Sequence, residues 1–109
     1  MAETYKVLGS AAPASTTPAT AYTVPAVTEA IVSSIVVCER AGAASAFRIG
    51  VLPGGSTGVG TFICYDHAIA ANETIVLTLG VGLATTDEVE VYASSTGLSF
   101  NVFGMEITA

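Results

Sequence analysis

The chain has 109 residues, enough for one hydrophobic core and too few for two. Charged side chains make up 11% of it, against about 25% in an average soluble domain, and nine acids against three bases leave a net charge of −6. Only Lys6, Arg40 and Arg48 could meet phosphates, and they are dispersed along the chain, which excludes a nucleic-acid binder.

No stretch shows the 3.6-residue period of a helix. Short runs of Val, Ile, Thr, Phe and Tyr alternate with period two and are broken by Gly, Pro, Ser or Asn about every ten residues. The first run covers residues 4–9. Residues 10–20 (SAAPASTTPAT) have no apolar period, and Pro13 and Pro18 favour extended geometry, so this segment reads as an arm. The expected division is therefore 1–19, a strand and an extended arm, and 20–109, the folded domain. Residues 20–24 form a short strand stopped by Pro25. Residues 29–40 are the longest candidate and carry apolar side chains on both faces, as a central or covered strand would. Residues 46–52 alternate Phe47, Ile49 and Val51 with Arg48 and Gly50, and the glycine-rich stretch 53–60 is a loop.

Further strands are expected over 61–66, 74–79, 88–93 and 98–107, with turns at Ala71-Asn72-Glu73, Gly80-Val81-Gly82 and 94–97. Gly104 is expected to mark a bulge at which the last strand changes its facing. About eight strands imply an all-β, antiparallel two-sheet sandwich of the jelly-roll type. Its shared core should hold Phe47, Ile49, Ile75, Leu77, Val89, Val91 and Phe100.

Residues that could do chemistry are sparse. His67 is the only histidine. Its neighbour Asp66 would point to the opposite face of a strand and could not orient the ring as a catalytic base requires. One histidine without clustered thiolates or carboxylates makes no metal site, so neither a cofactor nor a metal is expected. Gly54-Gly55-Ser56-Thr57-Gly58 lacks the Gly-Lys-Ser/Thr ending of a phosphate loop and the turn-to-helix context of a nucleophile elbow. The expectation is that the chain is not an enzyme. Cys38 and Cys64 sit in strand-like apolar runs as small hydrophobes, free and not disulfide-bonded.

Residues 30–38 are too short and too interrupted to span a membrane, and the opening residues lack a basic start and an apolar run, so synthesis in a cytoplasm is expected. So few charges cannot cover an exterior by themselves; part of it should be buried against a partner. The candidate contacts are Tyr5, Pro13, Pro18, Tyr22, Tyr65 and Tyr92.

Tyr22-Thr23-Val24-Pro25, the run Ile31 to Arg40, and Phe47-Arg48-Ile49 together form a recognisable order of strand and turn words. They are followed by Tyr65-Asp66, Ala71-Asn72-Glu73-Thr74, Leu77-Thr78-Leu79-Gly80, Val91-Tyr92-Ala93-Ser94 and Leu98-Ser99-Phe100-Asn101-Val102-Phe103-Gly104. Over residues 20–107 this order resembles the small structural proteins of tailed bacteriophages, in particular head decoration or cement proteins. The resemblance implies a subunit that binds the major capsid protein on the outer surface of the virion and self-associates as a homotrimer around threefold points. Tail, neck or fibre-associated proteins use similar domains, and a carbohydrate-binding module is the alternative from another class.

Overall fold

A computed structural model describes residues 2–56 and 58–108. Eight strands follow one another: β1 (Ala2–Ala11), β2 (Ala19–Thr23), β3 (Thr28–Glu39), β4 (Ser45–Leu52), β5 (Phe62–Ile69), β6 (Thr74–Leu83), β7 (Glu88–Ala93) and β8 (Leu98–Thr108). They form two four-stranded sheets with orders β1-β8-β3-β6 and β2-β7-β4-β5, every pairing antiparallel. Successive strands repeatedly cross from one sheet to the other. This is the two-sheet jelly roll that the period-two pattern implied.

The core lies between the sheets. Phe47, Ile49, Val89, Val91 and Phe100 are fully buried there, the Phe47 and Phe100 rings meeting edge to face with centroids 6.0 Å apart. Ile75 and Leu77 pack against the same core but remain half-buried, because β6 is an edge strand with no neighbour on its far side to cover them.

The separate N-terminal arm is not what the fold displays. β1 is an edge strand of the first sheet, paired with β8 from Ala2 to Ala11 with one register slip at Leu8. Residues 12–18 carry the chain across to the second sheet, held there by Thr16 N–H to Ala93 O (2.8 Å) and Ser15 Oγ to Ser94 O (3.0 Å). Ala, Ser and Thr are too short to signal burial, but they suit a crossing that runs close to strand ends. Gly80-Val81-Gly82, expected as a turn, is also strand, with Val81 opposite Val32 and Gly82 opposite Ile31.

The facing change was expected in β8 at Gly104 and occurs in its neighbours. β8 keeps strict alternation from Leu98 to Gly104. The extra residues are Leu8 in β1 and Ser33 in β3, each slipping the register by one beside Phe103. As a result Thr28, Ala30 and Val32 point inward before the bulge, and Ile35, Val37 and Glu39 after it. A bulge inverts the facing without any change in composition, which explains the apolar residues on both faces. Gly104 sits between these bulges, where its backbone runs so close to the Ile31 carbonyl that a Cβ would overlap the oxygen.

At one end of the sandwich, Glu39 is buried at the end of β3 and acts as a clamp. Its carboxylate accepts the backbone N–H of Ala41 (2.9 Å), Gly42 (2.7 Å), Ala43 (3.2 Å) and Asn72 (3.1 Å), joining the β3–β4 and β5–β6 connections. Asp87 does similar work elsewhere, accepting from Gly54 and Ala84 at 2.9 Å each.

Candidate interaction surface

The charges are distributed unequally over the two outer faces. On the second sheet, Arg48 of β4 lies between two tyrosine rings, 4.1 Å from the centroid of Tyr65 and 4.4 Å from that of Tyr92, and forms an ion pair with Asp66 at 2.7 Å. Glu88 and Glu90 of β7 occupy the same face, with Glu88 accepting from the Thr20 hydroxyl at 3.2 Å. This face mixes the Arg48–Asp66 pair and carboxylates with aromatic rings, Phe62 meeting Tyr65 edge to face at 5.0 Å, and Ile63 of the same strand is 43% exposed.

The outer face of the first sheet is different. Residues directly opposite in a ladder share a face. One row therefore runs Tyr5, Met105, Ile31 and Gly82 across all four strands; the next runs Val7, Phe103, Ser34 and Thr78; a third runs Ser10, Asn101, Val36 and Val76. Tyr5 is 78% exposed, Val76 61%, Val7 55% and Ile31 40%, with Phe103 and Met105 half-buried among them. The row at one end, Glu3, Ile107 and Glu29, supplies the only charges in these rows, both of them carboxylates. Lys6 is turned the other way, toward the space between the sheets, and pairs with Glu106 at 2.9 Å.

Of the residues singled out in the sequence, Tyr5 alone stands on this apolar face. Tyr65 and Tyr92 flank Arg48 on the opposite sheet, and Pro18 is exposed before β2. Pro13 and Tyr22 are buried and so are not exposed to a partner. Tyr22 donates its hydroxyl to Glu106 Oε2 at 2.7 Å; burial, reinforced by that carboxylate, raises its pKa well above the ordinary tyrosine value. Val7, Ile31, Val76, Phe103 and Met105 stand on the face with Tyr5, and the sequence does not single them out. Their cross-strand adjacency depends on sheet order and on the bulges, and the only available signal was the surplus of apolar residues on the second face of the third and last strands.

His67 lies within β5, its ring stacked on Phe47 (centroids 5.0 Å apart) and its Nδ1 2.9 Å from Ala68 O; Asp66 is engaged with Arg48. Both cysteines are free and half-buried, one in each sheet, and desolvation raises the Cys64 pKa. Among the described residues no group of three or more His, Cys, Asp and Glu could hold a metal ion, and no helix is long and apolar enough to cross a membrane.

No protein-family model matches the sequence, and no curated protein matches it. The fold places the chain in the class of jelly-roll β-sandwiches. A solved structure similar to it is that of infectious bursal disease virus, Gx strain, with a TM-score of 0.52 and 14% sequence identity, covering 99% of this chain. The chain spans about a third (32%) of the length of that viral chain. The likeness is one of fold.

Proposed function

We propose that this chain is a virion structural protein of a tailed bacteriophage, a capsid decoration protein that binds the head exterior and stabilises the shell. It acts through its surface and has no catalytic role. The observation that carries the reading is the outer face of the β1-β8-β3-β6 sheet, which sets Tyr5, Val7, Ile31, Val76, Phe103 and Met105 among uncharged Ser, Thr and Asn side chains in a molecule with very few charges. Monomeric soluble proteins rarely leave such a face uncovered. Four strands about 4.8 Å apart, with a central strand of 11 residues at about 3.3 Å each, span roughly 19 by 36 Å. That area is of the order of the 800 Å² or so that each partner gives to a standard protein interface.

The resemblance of its strand and turn words to those of small phage structural proteins supports the same reading, and the fold likeness to a chain of a virus structure is compatible with it. Contact with the major capsid protein is what the phage resemblance adds. The sequence words fit a tail, neck or fibre component as well. Gold-labelled antibody against the chain, applied to purified particles, separates these readings. Dense label over heads is expected; label confined to tails would move the protein there, and unlabelled particles would overturn a virion role.

A further inference from the structure

We propose that β6 is a self-pairing edge, through which two copies of this chain join their first sheets around a two-fold axis at Val76. This goes beyond the decoration reading and does not depend on it.

A sheet edge presents unpaired backbone groups, and natural proteins guard such edges with charges, proline, brevity or bulges. The other three edges here are guarded. β1 carries Glu3, Lys6 and the bulge at Leu8. β2 has five residues and lies between Pro18 and Pro25. β5 carries Asp66 in a left-handed conformation (φ 51°), His67 and two register shifts. β6 has ten residues without a charge or a proline. Its one irregularity, between Thr78 and Val81, leaves residues 74–78 in unbroken register with β3.

The orientation of the free groups follows from the ladder. Glu73 gives its carbonyl to Glu39 N–H at 2.9 Å, so by antiparallel alternation Ile75 and Leu77 bond β3. Thr74, Val76 and Thr78 then direct their N–H and C=O groups to the open edge.

The sequence of this stretch identifies the occupant. Thr-Ile-Val-Leu-Thr reads nearly the same in both directions. An antiparallel pair centred on Val76 sets Val76 against Val76, Thr74 against Thr78 and Ile75 against Leu77. These are threonine pairs and matched aliphatic pairs, both favourable across strands, and a two-fold contact requires such self-complementarity. In a chain of net charge −6, this edge lets two copies approach without opposing carboxylates. It also accounts for Ile75 and Leu77, which stay half-buried while Ile35 and Val37 beside them on β3 are 1% and 0% exposed. The second copy covers them.

Sedimentation of the full chain tests this. The wild type is expected to be a dimer at tens of micromolar. Val76→Pro removes an N–H that points away from β3, so it should leave the melting temperature nearly unchanged and give a monomer. Val76→Lys, which sets like charges opposite each other, should do the same and serves if the proline variant does not fold. A wild-type monomer at hundreds of micromolar, a trimer or larger assembly, or dimers that survive in a folded Val76 variant would each overturn the proposal.

Discussion

Gly9 of β1 faces the backbone carbonyl of Ala21 in β2, and a methyl group on Gly9 would overlap that oxygen. The two strands belong to different sheets, so this contact brings the sandwich edges together on one side. Gly104 makes an equally close approach to the Ile31 carbonyl, here on the neighbouring strand of its own sheet. Both backbone approaches require glycine, whatever its cost in chain entropy.

Gly9→Ala and Gly104→Ala should therefore each lower stability by about 1–3 kcal/mol or more, as overpacking does. Gly80→Ala is the control: nothing lies near a Cβ there, and stability should hold or rise by up to about 1 kcal/mol. Urea denaturation of the three variants checks this. A neutral Gly9→Ala would show that β1 and β2 do not approach as described.

Val27 is a β-branched residue in the left-handed region (φ 56°), with a side chain 70% exposed. That conformation costs an ordinary residue about 1–2 kcal/mol, and asparagine tolerates it better. Val27→Asn should raise stability by about 1 kcal/mol, read as a higher melting temperature. A fall would mean that the Val27 side chain makes a contact of its own.

Stability should decline on both sides of neutrality. Glu106 is held below the usual carboxylate range by the Lys6 ammonium and the Tyr22 hydroxyl, Asp87 by the N–H groups of Gly54 and Ala84, and Glu39 by the N–H of Asn72 with those of Ala41, Gly42 and Ala43. Unfolded, these groups take up protons near their ordinary values of 4.5 for Glu and 3.8 for Asp; folded, they resist. The unfolded state thus binds more protons in acid, and the stability these carboxylates give is lost as pH falls below about 4.5. Tyr22 has the opposite sign. Its folded pKa lies above the unfolded value of 10.0, so its contribution holds below pH 10 and is lost above it. Denaturation midpoints across pH should trace this dome, with Glu106→Gln flattening the acid limb and Tyr22→Phe the alkaline one. An unchanged alkaline limb in Tyr22→Phe would contradict the burial of that hydroxyl.

Much of the architecture follows from alternation alone. Phe47, Ile49, Val89, Val91 and Phe100 could be placed in the core because their strands alternate without interruption. What alternation cannot reveal is a slip in it. The bulges at Leu8 and Ser33 leave no compositional mark, yet the one at Ser33 decides that Ile31 and Val36 share an outer face although they are of opposite parity in the chain. The burial of Pro13 and Tyr22 is hidden for another reason. Proline in a polar stretch and tyrosine in a short strand suggest surface, but Pro13 is buried in the crossing from β1 to β2, and Tyr22 turns into the core to meet Glu106 of β8.

The central claim is that the outer face of the β1-β8-β3-β6 sheet docks on the particle. The most direct measurement is rebinding of purified protein to particles stripped of it, comparing Ile31→Lys on that face with Glu90→Lys on the opposite sheet. Both side chains point outward, so both variants should fold and melt like the wild type. The account predicts that Ile31→Lys loses at least tenfold in binding while Glu90→Lys binds like the wild type; full binding by Ile31→Lys, with loss in Glu90→Lys, would contradict it.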